Sequence, residues 1–201
     1  MKIRDLMIPD PITVTDDATV EQAIEIMQAN SIRHLPVVDS NRRLKGFLTL
    51  ADLKRGLLPY MLGDLTLHDM MIKNPLTVQP DDDIETAAQL IYRRKIGGLP
   101  VVDGQYLVGI ITETDLLRAF IDLMGILSAS VRIDVNLGNG PGSLNRAMQV
   151  ITANGGDIIN VSLATRQTSQ RSYCFRLEPC DADKIETALR AAGFEVIAVM
   201  Q

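Results

Sequence analysis

Apolar residues fall at Val20, Ala23, Ile24 and Met27 within "TVEQAIEIMQAN", the i, i+3, i+4, i+7 spacing that gives a helix one buried face. Thr19 followed three residues later by Gln22 supplies a capping-box start for that helix. Further along, Ile84, Ala87, Ala88 and Ile91 repeat the same spacing. After each helix come two short apolar runs separated by polar turn residues, "LPVVD" then "LKGFLTL", and "LPVVD" then "YLVGIIT". Each pair predicts a hairpin of strands, and a further helix begins after Thr49 or Thr112.

The two patterns are one unit written twice. Pro11 aligns with Pro75, Thr13 with Thr77 and Asp39 with Asp103; after a one-residue gap in the turn, Gly46 aligns with Gly109, Thr49 with Thr112 and Asp52 with Asp115. The unit reads strand, helix, strand, strand, helix, and about fifty residues are too few to bury a sheet face well. Two copies packed together would cover it. What differs is as informative as what is kept, because "LPVVD" is preceded by Arg33 and His34 in one copy and by Gly97 and Gly98 in the other.

Beyond "LLRAFIDLMG" the pattern changes. Val131, Ile133 and Val135 alternate with polar residues, as in a half-buried strand. Leu144, Ala147, Met148 and Ile151 mark a helical face that ends near Gly155. Asp181 can cap a last helix whose Ile185, Ala188, Leu189 and Ala192 face inward and which Gly193 stops. The order β-α-β-β-α-β predicts an antiparallel sheet with helices on one face. Domains are therefore expected at 1–60, 61–125 and 126–201, and the fold class is α/β followed by α+β.

Composition narrows the function classes. With 201 residues, 46% hydrophobic and 22% charged, the chain is globular in type, and a net charge of −5 offers no electrostatic reason to approach nucleic acid. No apolar run reaches the roughly 18 residues of a membrane span and the N-terminus lacks a signal-peptide stretch, so a cytoplasmic protein is expected. Cys174 and Cys180 are too few for a disulfide framework and read as reduced thiols. His34 and His68 are the only histidines, and no P-loop, zinc motif or nucleophile elbow appears, which argues against an enzyme.

The candidate chemistry sits in "GFLTLAD" and "GIITETD". Gly46 and Gly109 would let a ligand approach the strand backbone, Asp52 and Asp115 can accept from both hydroxyls of a ribose, and Thr49, Thr112 and Thr114 stand where a helix start favours an anion. The same Thr-x-x-Asp spacing is equally an ordinary capping box. Residues 2 to about 120 resemble the paired cystathionine-beta-synthase (CBS) domain, or Bateman module, through "LPVVD" and the glycine, threonine and aspartate that follow. That resemblance implies a pseudo-twofold module with an adenine nucleotide (AMP, ADP or ATP), or S-adenosylmethionine, in the clefts between repeats. It also implies that Arg33 and His34 form one phosphate-facing pair that Gly97 and Gly98 cannot match, so that the clefts are unequal. Read from the residues alone, Arg33 is a solvated side chain and His34 a satisfied turn histidine.

The last seventy residues resemble a ferredoxin-like ACT domain through "NGPGSL" and "IINV". The resemblance implies that Asn139, Gly142 and Asn160 mark an amino-acid site, whereas turn chemistry alone also asks for Gly140, Pro141 and Gly142. The whole order is similar to AcuB-type proteins, named for acetoin utilisation. The expectation is a non-catalytic regulatory protein, forming a homodimer and acting on a partner enzyme, without nucleic acid or membrane as partner. Its alternatives are a ligand-free oligomerisation scaffold and an amino-acid sensor. No metal site is expected.

Overall fold

In a computed structural model of the chain, residues 1–61, 66–126, 130–138, 140–165 and 172–200 are described. The chain divides into two units, Met1–Leu117 and Arg118–Gln201.

In the first unit, the N-terminal repeat contains β1 (Ile8–Pro9), β2 (Val14–Thr15), α1 (Val20–Ala29), β3 (His34–Val38), β4 (Leu44–Thr49) and α2 (Leu50–Met61). The second repeat contains α3 (Leu67–Met70), β5 (Ile72–Lys73), α4 (Ile84–Arg94), β6 (Gly98–Asp103), β7 (Tyr106–Thr112) and the first turn of α5 (Glu113–Leu123), a helix in which the division between the units falls. Thr19 caps α1 as its spacing predicts: the Gln22 amide donates to Thr19 Oγ1 at 3.2 Å, and the Thr19 amide donates to Gln22 Oε1 at 2.9 Å. The apolar stripe is buried in both copies, at Val20, Ala23 and Met27 and again at Ile84, Ala87 and Ile91.

"LPVVD" is kept because it is core. Leu35, Val37, Leu99 and Val101 are fully buried, where a change of volume is felt at once in close-packed surroundings. The aspartate of the first copy closes the hairpin, accepting from the amides of Asn41 and Arg43 at 3.0 and 2.9 Å. Those bonds to the ionised form, led by the one from Arg43, hold the Asp39 carboxyl below its ordinary range.

The repeats solve their burial problem by exchanging strands. β1 of the first copy pairs antiparallel with β7 of the second, Ile8 opposite Ile110 and Pro9 opposite Gly109. β5 of the second copy pairs antiparallel with β4 of the first, Ile72 opposite Phe47 and Lys73 opposite Gly46. The sheets thus run β1-β7-β6 and β2-β3-β4-β5, each completed by a segment of the other repeat. The hairpins also meet, with an antiparallel bridge between Arg43 and Tyr106. The Leu44 and Leu107 amides donate across it to the Gln105 and Arg42 carbonyls at 3.0 Å each.

This exchange reassigns Gly46 and Gly109. A β-carbon on Gly46 would stand 2.4 Å from Met71 Sδ, and one on Gly109 would stand 2.5 Å from Met7 Sδ. The space that the sequence reading reserved for a ligand is filled by the methionine that precedes each exchanged strand. The glycines serve the seating of β1 and β5.

The second unit contains β8 (Val131–Asn136), α6 (Ser143–Ala153), β9 (Ile158–Thr165), β10 (Ser172–Leu177), α7 (Ala182–Ala191) and β11 (Glu195–Met200). Its four strands are antiparallel neighbours in the order β11-β8-β10-β9. Val131, Ile133 and Val135 alternate inward onto Ala147, Ile151, Ile185 and Leu189 of the two helices. Asp181 caps α7 by accepting from the Lys184 amide at 3.0 Å. No helix among the described residues is long and apolar enough to cross a membrane.

Candidate functional site

The strand exchange leaves two cavities in the first unit, each walled by both repeats. The first, of about 460 Å³, lies over the β4–α2 junction, with Phe47, Thr49, Ala51, Asp52 and Arg55 from the first repeat. Ile72, Pro75 and Leu76 from the exchanged segment, and Lys95 to Gly98 at the entry to β6, add to its wall. The second, of about 270 Å³, lies over the β7–α5 junction, with Ile110, Thr112, Glu113, Thr114 and Asp115. Ile8, Pro11 and Ile12, Ile32 to His34 at the entry to β3, and Gly97 complete that one. The walls correspond position by position: Ile72 to Ile8, Pro75 to Pro11, Ile96 to Ile32 and Phe47 to Ile110. An apolar slot with a few polar groups at one end is the usual form of a small-molecule site.

The polar end of each slot is the Thr-x-x-Asp turn that starts a helix. In the second cleft one oxygen of Asp115, Oδ2, accepts from the Thr112 hydroxyl at 2.6 Å and from the Thr112 amide at 2.8 Å. No described residue donates to its other oxygen. In the first cleft Thr49 donates its hydroxyl to Asp52 Oδ2, and Arg55 forms an ion pair with Oδ1. The Asp52 amide returns to Thr49 Oγ1 at 3.1 Å. Both carboxylates are half-buried, that of Asp52 only 16% exposed. The capping box and the cavity-facing acid are therefore the same residues. The cap holds the carboxylate in place, and the second cleft retains an uncommitted acceptor.

His34 stands where the two clefts meet and lines both of them. Its ring stacks on Phe47 at 5.8 Å between centroids and 14° between planes. Burial pushes its pKa below the ordinary 6.5, helped by the Arg33 charge and opposed by Glu113, Asp115 and Asp52. A third hollow of about 290 Å³ joins Arg33, His34, Thr49, Lys54, Gly97 and Glu113 at the same place.

The residues expected from sequence are brought together except for four groups. Thr49 and Asp52 meet in one cleft, and Thr112, Thr114, Asp115, Arg33 and His34 in the other. Gly46 and Gly109 line neither. Asn139 lies outside the described residues. Gly142 takes the left-handed conformation, φ 78°, at the start of α6, with nothing close to the position a β-carbon would occupy. Asn160 donates its side-chain amide to the Leu123 carbonyl at 3.2 Å. Glu113, Lys95 and Arg55 were missed. Comparing the copies would have found two of them, since Glu113 replaces Leu50 and Lys95 replaces Ser31 beside the repeated motifs. Among the described residues no group of three or more His, Cys, Asp or Glu side chains could hold a metal.

Comparison with known proteins supplies the family. The CBS domain family matches residues 3–59 and 67–122, and the chain belongs to it. The chain is 32% identical over 117 residues to a homoserine O-acetyltransferase of Methanohalobium evestigatum, covering 58% of this chain but only 23% of that enzyme. It thus spans about a quarter of that relative's length. Among solved structures it is similar to a CBS domain pair in complex with 5′-methylthioadenosine and S-adenosyl-L-methionine, with a TM-score of 0.55 and 30% identity. That match covers 60% of this chain and 95% of the other. A protein of Vibrio cholerae described as a "putative acetoin utilization protein (AcuB)" matches with a TM-score of 0.56 and 34% identity over 61% of this chain and 92% of that one. CBSX2 in complex with AMP matches at 0.54 and 29% over 60% and 96%.

Proposed function

We propose that this pair of CBS domains is a ligand-sensing regulator that holds an adenine nucleoside or nucleotide between its repeats. The observation that carries the reading is Asp115, a half-buried carboxylate fixed through one oxygen by Thr112 and aimed, with its other oxygen uncommitted, into an apolar slot of nucleoside dimensions. A carboxylate only accepts hydrogen bonds, which suits it to a vicinal diol, and the apolar walls suit a flat base. The AMP and S-adenosylmethionine complexes of related CBS pairs support an adenosine-bearing ligand.

In each cleft the threonine hydroxyl and the aspartate hold each other in a helix cap, which supports a ligand that is sensed rather than converted. Binding acts as a signal only where the ligand favours one arrangement of the chain over another. Because each slot is walled by both repeats, a ligand that fills it biases their packing. The C-terminal unit, whose strand order fits the ACT reading, is proposed to relay that bias to a second copy of the chain or to a partner enzyme. The likeness to an acetoin utilization protein supports placing the regulated step in acetoin or related carbon metabolism. One amide hydrogen of Asn160 is engaged by main chain, which favours the relay and pairing role over an amino-acid site.

A ligand-free scaffold is the second reading, favoured by Asp52, each of whose oxygens already has one partner, Thr49 or Arg55, and keeps only one further lone pair for a ligand. Melting the protein with and without AMP, ATP and S-adenosylmethionine separates the two, because a ligand of the folded state raises the melting temperature. A rise with any of the three is expected. No rise with all three would leave the scaffold.

A further inference from the structure

The two clefts share their walls and their Thr-x-x-Asp ends, and differ at charged positions. After the threonine, the first repeat has Leu50 and the second has Glu113, which enters the wall of its own cleft. At the end of the preceding helix, Ser31 and Lys95 occupy equivalent left-handed positions, both with φ of 54°, and only Lys95 enters a wall. The first cleft therefore holds two cations, Arg55 and Lys95, against one carboxylate, Asp52. The second holds two carboxylates, Glu113 and Asp115, against one cation, Arg33. His34 is common to both. The first cavity is also the larger.

From these differences we infer that the clefts divide adenosine ligands by the charge of their 5′ substituent. The cleft over Asp52 takes the phosphorylated ligand, and the cleft over Asp115 takes one whose 5′ group is uncharged or cationic. This rests on the proposed function and adds which cleft takes which class. In this assignment Arg33 offsets Glu113 and Asp115 in the wall of the smaller cleft, and on its other side it borders the hollow that it shares with Lys54 and Thr49. Glu113 is the specificity-determining residue: it is exposed, makes no cap, and repels a phosphate from the smaller slot.

The test is calorimetric titration of the full chain near neutral pH with three probes that differ at one position: AMP, adenosine and 5′-amino-5′-deoxyadenosine. Asp52→Asn should weaken AMP about tenfold or more and leave the amino compound within about twofold, and Asp115→Asn should do the reverse. Glu113→Gln, which leaves both caps intact, should open a second AMP site per chain and weaken the amino compound about tenfold. Unfolding midpoints of the variants show that each is folded. AMP lost with Asp115→Asn but kept with Asp52→Asn, equal losses for all probes, or no change of preference in Glu113→Gln would overturn the assignment. Failure of all three probes to bind the unaltered chain would instead overturn the proposed function, and the assignment with it.

Discussion

His34 Nε2 lies 2.5 Å from the point where a β-carbon on Gly97 would stand. The contact crosses from one repeat to the other and explains why they differ before "LPVVD". Only one of two equivalent segments can place a side chain at their meeting point, and the ring that does so, stacked on Phe47, needs a glycine opposite. Gly97→Ala should therefore cost about 1–3 kcal/mol through overpacking. Combined with His34→Gly it should cost markedly less than the sum of the two changes. Urea unfolding of the four proteins reads that coupling, and additive losses would show that the histidine simply moves aside.

His34 also makes stability pH-dependent. Its folded-state pKa is depressed by burial and by Arg33, against the pull of Glu113, Asp115 and Asp52. The unfolded chain then binds a proton that the folded chain resists, so stability is full above pH 6.5 and declines as pH falls through that value toward the folded pKa. Unfolding midpoints followed downward from neutral pH should fall more for the unaltered chain than for His34→Asn. His68 is common to both proteins. Parallel curves would remove His34 as the cause.

Asp115 has two duties that separate by measurement. As a cap it secures α5, and its loss should cost about 1 kcal/mol of stability. As a ribose acceptor its loss should cost a charge-assisted hydrogen bond, about 1.5–3 kcal/mol, or roughly ten- to a hundredfold in affinity. Asp115→Ala should show both effects for the ligand of that cleft. Lowered stability with unchanged affinity would leave the residue a cap alone.

The reassigned glycines give a further expectation. Gly46→Ala and Gly109→Ala should each destabilise by about 1–3 kcal/mol, since Met71 and Met7 fill the space. Methionine is adaptable, so truncating it in the same chain should recover part of the loss. Less-than-additive losses in Gly109→Ala with Met7→Ala, read by thermal unfolding, would confirm the contact. Full additivity would refute it.

The parts of the fold legible in the sequence are those with a period. The helical stripes at Val20 to Met27 and Ile84 to Ile91, the two hairpins, and the β-α-β-β-α-β order of the second unit follow from residue spacing, and each formed where the spacing places it. The strand exchange was not legible. β1 and β5 are two residues long, too short to show alternation, and their partners lie in the other repeat. The misread glycines follow from that gap, because without the exchange nothing identifies the methionine that fills the space beside them. The acids and threonines that line the candidate clefts stood out in the sequence because they recur in a fixed motif. The charge balance of the clefts was not legible: the copies visibly differ at Lys95 and Glu113, but only the packed repeats show that these two side chains stand in cleft walls.

The holding of a ribose between the repeats by Asp52 or Asp115 is the proposal on which the others depend. Its most direct measurement is equilibrium binding of radiolabelled adenosine and AMP to the unaltered chain and to a chain carrying both Asp52→Asn and Asp115→Asn, a near-isosteric pair of changes. Saturable binding of at least one ligand that weakens about a hundredfold or more in the double variant, with the variant still unfolding cooperatively, is the expected result. Binding of equal strength to both chains, or to neither, would contradict it.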